Sequence, residues 1–190
     1  MKGGCELHKS AFTKRIAQLL KLRLHKRGLA ICLSGIDGSG KTTLAQGLVQ
    51  VLGVSGVPAR HLHLHQWYLN VSITPVLLIY NRYFGRKVLV FDRTIYDNIA
   101  VASLRPRWPW WLSLITLRFV LACYPRFDHR FYLAVTLAET NSRRPGTDIE
   151  RFRLLSGFYG KIVHRAKYVQ VMSDAQLLDT VLRRITRGSC

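Results

Sequence analysis

The residues Gly35-Ile36-Asp37-Gly38-Ser39-Gly40-Lys41-Thr42-Thr43 fit the spacing G-x-x-x-x-G-K-[ST] in full. Each type in the pattern answers a need of phosphate binding. Gly35, Gly38 and Gly40 let the backbone turn tightly, so that successive N–H groups, those of Asp37 and Ser39 among them, aim inward at anionic oxygens. A helix starting near Lys41 adds the positive end of its dipole. The Lys41 ammonium reaches the β- and γ-phosphates, and the Thr42 hydroxyl completes a Mg²⁺ shell, with Thr43 next to it. ATP with Mg²⁺ is the expected occupant.

A second pair, Asp92-Arg93, closes the apolar run Lys87-Val-Leu-Val-Phe-Asp-Arg93. Transfer between two anions needs cations between them and a carboxylate for the metal, and this pair supplies one of each. His61, His63 and His65 alternate, so in a strand they share one face and could present imidazoles to a metal. No carboxylate or cysteine stands beside them in the chain to complete a ligand set, and strand positions under a helix are the preferred reading. His65, Gln66 and Trp67 fall where an acceptor should lie, a tryptophan face with polar neighbours suiting a base or a sugar ring. Tyr96 and Asp97 are expected to face the same cleft, Asp97 as a second metal or hydroxyl partner.

These side chains need a frame. Leu29–Ser34 reads as a strand, Lys41 to Leu52 as a helix, and residues 57–65 as a second strand. Residues 72–84 look helical, with Pro75 delaying the start. Residues 87–93 make a third strand and a helix follows from Tyr96. A tryptophan-rich helix comes next, then a strand over 130–136 and a basic helical stretch over 138–165. Residues 168–172 form a fifth strand, and Asp174 caps a last helix to about Ile185. Alternation of this kind predicts an α/β three-layer sandwich, a five-stranded parallel sheet with helices on both faces. Ligands then bind at the carboxyl edge, where the charged residues above all lie.

The segments GIDGSGKTT, VLVFDR, FDHRFYLAVTLAETNSRR and YVQVMSDAQLLDTVLRRI, in that order and spacing, resemble thymidylate kinase and its relatives among the P-loop NTPases. The resemblance spans roughly residues 29–187. It implies that Asp92 helps arrange Mg²⁺ or the attacking oxygen, and that Arg93 clamps the acceptor's phosphate. It also implies that Asp37 lies toward the acceptor's sugar. Residues 139–153 resemble the family's mobile lid. Relatives without an arginine in the P-loop place one there, and Gly38 and Ser39 occupy the P-loop position here. Arg143 and Arg144 are the first candidates, with Arg151 and Arg153 behind them.

The acceptor half departs from that family. Its Arg-Glu-Pro-Gly-Gly segment after the second strand is replaced by His-Leu-His-Leu-His-Gln-Trp, Thr94 replaces the aromatic after Asp-Arg, and Val101 and Ala102 replace the Tyr and Gln near its nucleobase. Three readings follow. The first is transfer of the ATP γ-phosphoryl to a nucleoside monophosphate, dTMP foremost. The second keeps the donor and changes the acceptor to a sugar, a lipid-linked saccharide or another hydroxyl compound. The third is an ATP-binding regulatory or nucleic-acid-associated module without acceptor turnover.

Composition bounds these readings. The chain has 190 residues, 48% of them apolar, which suits one domain over 28–190 preceded by a basic extension over 1–27. Twenty-nine lysines and arginines against ten acidic residues give +19, a field that attracts phosphorylated molecules, nucleic acid or an anionic membrane face. Basic and aromatic residues do not interleave as in single-strand binders, so nucleic acid is not the expected partner. Four scattered cysteines without a C-x-x-C pair suggest a reducing, cytoplasmic setting. The first 27 residues form a basic amphipathic pattern, read as a solvated extension ahead of an interfacial membrane helix or a transit segment. The apolar run over 108–125 is too short to span a bilayer and Arg118 interrupts it, so a buried helix is expected. A homodimer is expected from the family resemblance alone.

Overall fold

The computed structural model describes residues 18–21, 24, 27–64, 66–104, 109–143, 145–172 and 177–187. Five strands form a single sheet: β1 (Leu29–Gly35), β2 (Ala59–Leu62), β3 (Val88–Asp92), β4 (His129–Ala134) and β5 (Val169–Met172). Their order is β2-β3-β1-β4-β5 and every pairing is parallel. The helices are α1 (Lys41–Val54), α2 (Trp67–Tyr80), α3 (Ile95–Ala102), α4 (Trp110–Cys123), α5 (Leu137–Arg143), α6 (Ile149–Arg165) and α7 (Leu177–Arg187).

Strands buried on both faces should read as continuous apolar runs, and β1 and β3 do. Their alternate residues feed two separate cores. Leu29, Ile31, Leu33, Val88 and Val90 pack under α1 and α7. Ala30, Cys32, Leu89 and Phe91 pack under α3, α4 and α6. The sheet is therefore the middle of three layers, as expected. Leu20 and Leu24 from the basic extension are buried in the first core.

Three boundaries differ from the sequence reading. β2 stops at Leu62, because it is an edge strand whose only neighbour, β3, ends at Asp92 with Leu62 paired to Phe91. α2 starts at Trp67, ahead of Pro75 rather than after it. A proline inside a helix strips the carbonyl four residues back of its partner, and that residue, Val71, is exposed where water can serve instead. The basic stretch over 138–165 breaks into α5 and α6 at the Pro145-Gly146 turn, where Gly146 has φ 82°. α6 then restarts on an Asp148 cap, whose carboxylate accepts from the Glu150 and Arg151 amides.

The tryptophan-rich helix α4 is buried on one face only. Leu117 and Val120 enter the core while Trp111, Ile115 and Phe119 stand exposed. Val76, Ile79 and Tyr80 of α2 are exposed as well, followed by Tyr83 and Phe84 in the π-turn Asn81–Gly85. No helix among the described residues is long and apolar enough to cross a membrane. Asp174 and the rest of 173–176 lie outside the described residues, as does most of 1–27.

Candidate active site

The turn between β1 and α1 has the shape its glycines require. Gly38 and Gly40 sit at φ 88° and 86°, a region side chains with a Cβ rarely enter. A Cβ on Gly35 would lie 2.8 Å from Ser39 Oγ and 2.9 Å from the Leu133 carbonyl oxygen, so β4 admits only glycine there. Lys41 lies across the turn, its Nζ donating to the carbonyls of Gly35 at 2.8 Å and Ile36 at 2.9 Å. Burial lowers the Lys41 pKa from its ordinary 10.5, while Asp97, Asp37 and Asp92 pull it back up. The side chain is a buried cation held by partial charges, ready to exchange two carbonyl contacts for a stronger anion. Ser39 is buried, and Thr42 and Thr43 are exposed at the start of α1.

Asp92 ends β3 directly beside this turn, because β3 pairs with β1 and sets Asp92 opposite Leu33. Its carboxylate is fully buried. Oδ2 accepts a short hydrogen bond from the Thr42 hydroxyl, and Oδ1 has no hydrogen-bond partner. A buried carboxylate oxygen without a donor, next to a hydroxyl, is an arrangement that a divalent cation fits. Oδ2 also meets His63 Nδ1 at 3.1 Å and lies 3.6 Å from His61 Nε2. Both histidines stand on the α1 face of the sheet, brought there by the edge strand β2. The carboxylate missing from their sequence neighbourhood thus comes from β3.

Arg93 takes φ 83°, an unusual value for a residue with a Cβ, and this turns its guanidinium back over the cradle. There it pairs with Asp37 Oδ1 at 2.8 Å, both side chains about one-third exposed. Asp37 and Arg93 therefore stand together at the mouth of the turn.

Tyr96 is a correction, whereas Asp97 does line the cleft beside Lys41 and Arg93, with its oxygens already engaged. Tyr96 is turned into the core, edge-on to Tyr168 and near Phe127, and only 1% exposed. Asp97 accepts from the Thr94 amide at 2.9 Å and the Tyr159 hydroxyl at 2.6 Å, with Ser34 Oγ, Thr94 Oγ1 and the Gly35 amide completing its shell. Thr94 and Asp97 form the capping box of α3. A carboxylate so fully engaged is held as a strut under the cradle, even though it lines the cleft beside Lys41 and Arg93. Burial first, and Asp97 second, raise the Tyr159 pKa well above its ordinary value, so Tyr159 stays a donor to that carboxylate. The pattern Thr94-x-x-Asp97 was the available signal for this cap. Ser34 and Tyr159 gave none, since each is meaningful only through its contact with Asp97.

Residues 139–153, the expected lid, reach the cradle from two directions. Thr140 of α5 is buried beneath Gly38, whose added Cβ would lie 3.4 Å from it. Arg143 donates to the Gly38 carbonyl at 3.2 Å. Arg151, from the first turn of α6, lines a narrow cleft with Lys41, Arg93 and Asp37. An adjoining cavity of about 270 Å³ lies between Asp37 and residues 145–152. Arg153 is exposed. Arg144, His65 and the Trp67 side chain lie outside the described residues. A larger cavity, about 680 Å³, opens far from the cradle at the amino ends of β4 and β5.

No protein-family model matches the chain, and no curated protein matches it in sequence. Among solved structures it is similar to thymidylate kinase from Candida albicans, at 16% identity. The superposition covers 85% of this chain and 90% of that one, with a TM-score of 0.58. That enzyme's structure is described as revealing the origin of its broad substrate specificity. With a five-stranded parallel sheet, helices on both faces and a glycine cradle after β1, the chain has the thymidylate-kinase-like fold of the P-loop NTPases.

Proposed function

We propose that this chain is an ATP-dependent phosphotransferase that moves the γ-phosphoryl group of ATP to a nucleoside monophosphate, with dTMP the foremost candidate. One observation carries the reading: Lys41, Thr42, Asp92 and Arg93 meet at the carboxyl edge of the sheet, with Thr42 bonded to Asp92 and Arg93 held over the turn by Asp37. A lone glycine turn would bind phosphate without these partners. Their convergence supports a donor site and an acceptor site that share one cleft.

The roles follow from charge and position. The amides of residues 37–42 and the α1 dipole cradle the donor phosphates. Lys41 leaves the Gly35 and Ile36 carbonyls for the transferring group. Thr42 and Asp92 would hold Mg²⁺, which supplies charge compensation on the phosphates when bound. Arg93 grips the acceptor's phosphate, and Arg143 and Arg151 close from the lid side, excluding water from the transfer.

A second reading keeps the donor half and takes a lipid-linked saccharide or another hydroxyl compound as acceptor. The exposed apolar faces of α2 and α4, interrupted by the basic Arg118, favour it, because they suit a chain that works against a membrane surface.

The experiment is ADP release from ATP-Mg²⁺ by the purified chain, against a panel of nucleoside monophosphates, sugars and lipid-linked saccharides. The first reading expects turnover stimulated by dTMP and lost in Lys41→Ala, which should still fold. Turnover with hydroxyl acceptors alone selects the second. ADP release unchanged in Lys41→Ala would remove the cradle from the reaction.

A further inference from the structure

We propose that His61, His63 and Asp92 form a binding site for a late first-row divalent cation of the Zn²⁺ class, separate from the magnesium that accompanies ATP. The three side chains come from neighbouring strands. His61 pairs with Val90 across β2 and β3, so continuing the register sets His63 opposite Asp92. Their ligating atoms all lie within 4.8 Å of one another.

The distances suit such an ion. Zinc bonds to imidazole nitrogen and carboxylate oxygen are about 2.0–2.2 Å, so tetrahedral ligands stand about 3.4 Å apart. The His63 Nδ1–Asp92 Oδ2 distance of 3.1 Å and the His61 Nε2–Asp92 Oδ2 distance of 3.6 Å fall on either side of that value. The His61 and His63 ligand atoms lie within 4.8 Å of each other, close enough for a modest closure to complete the set.

The state of the individual atoms points the same way. His61 Nε2 is buried and has no hydrogen-bond partner, and 3.6 Å to Asp92 is beyond hydrogen-bond reach. A buried ring nitrogen left so carries the desolvation cost of an unmet polar group. Magnesium does not relieve it, because a hard ion of that kind takes oxygen donors and keeps its water. Two imidazoles and a carboxylate select a softer late transition ion and leave it an open position. Asp92, with its second oxygen also unpartnered, can serve this ion and still face Thr42. The bound ion would then fix the carboxylate on which the phosphate cradle leans, as paired metal sites with a shared carboxylate do.

The test uses the full chain, stripped with chelator and dialysed, and contains no nucleotide. Zn²⁺ is titrated by calorimetry, and Co²⁺ is followed by visible absorption. One site per chain is expected. It should persist in excess Mg²⁺ and show nitrogen–oxygen Co²⁺ bands without the thiolate charge transfer that cysteine ligation would add. Loss of an outer-shell partner alone weakens metal sites about 10–100-fold, so His61→Ala/His63→Ala should weaken this one at least about 100-fold. His164→Asn should leave it unchanged. Zn²⁺ should also raise the melting temperature of the parent and not of the double variant. No Zn²⁺ uptake, equal affinity in the double variant, or Co²⁺ bands of thiolate character would each overturn the proposal. A double variant that does not fold leaves the parent's Co²⁺ spectrum to decide. Because nucleotide is absent, the outcome is independent of whether the chain transfers phosphate.

Discussion

Replacing Asp97 separates a strut from a ligand, because the two roles move different observables. The carboxylate is 5% exposed and takes donors from Ser34, Gly35, Thr94 and Tyr159. In Asp97→Ala the buried Tyr159 hydroxyl loses a charged acceptor, a contact worth about 1.5–3 kcal/mol. The reciprocal half of the α3 cap is lost as well, at about 1 kcal/mol. Ser34 is not stranded, since its hydroxyl also lies 3.1 Å from that of Tyr168. The expected loss is therefore roughly 2.5–4 kcal/mol. For a chain of this size each kcal/mol lowers the melting temperature by about 2–4 °C, which gives a fall of about 5–16 °C.

Thermal melting followed by circular dichroism reads this directly. Steady-state kinetics at a temperature where both proteins are folded completes the test. Asp97→Asn should fall between parent and Asp97→Ala, because its amide nitrogen must face one of the existing donors. A strut leaves the acceptor KM nearly unchanged in the molecules that remain folded. If Asp97→Ala melts within about 2 °C of the parent while the acceptor KM rises about tenfold or more, Asp97 is a substrate ligand and the reasoning fails.

Arg93→Ala should raise the KM for a phosphorylated acceptor on the order of tenfold or more and move that for ATP by about twofold or less, since its proposed role is to grip the acceptor's phosphate; equal shifts on both would place it outside the acceptor side. Lys41 carries a pH signature. Burial holds its native pKa below 10.5, so between the two values the unfolded chain binds the extra proton and parent stability should rise with pH relative to Lys41→Met; urea unfolding at stepped pH would show no such trend if the ammonium were not buried. Burial, with the Asp97 charge adding to it, pushes the Cys32 thiol up to about 11, whereas Cys123 is exposed. Iodoacetamide with peptide mapping should modify Cys123 and spare Cys32 until the chain unfolds, and early labelling of Cys32 would contradict its place in the core.

The frame was legible because its signals are local. β1 and β3 are unbroken apolar runs, as parallel strands buried on both faces must be, and the glycines between β1 and Lys41 announce their turn by type and spacing. What was missed depends on surroundings beyond the local pattern. Pro75 forbids one hydrogen bond, and the sequence alone does not say that Val71, whose carbonyl is left over, is exposed. The length of β2 depends on where its partner stops, which is a property of β3.

The site divides along the same line. The places of Lys41 and Thr42 were legible from the glycine spacing that opens α1, and those of Asp92 and Arg93 from the end of β3. Asp97 was placed at the cleft, but its engagement by Tyr159 and Ser34 was hidden, because only the fold brings those residues to it. The histidines are the converse case. Alternation put His61 and His63 on one face but offered no third ligand, since Asp92 lies on a different strand and joins them only through the β2–β3 register. A carboxylate that serves Thr42 on one side and two imidazoles on the other cannot be seen from either sequence segment alone. In a parallel sheet the residues that act together are those at equal height on adjacent strands, and register, more than spacing along the chain, decides which chemistry the edge can hold.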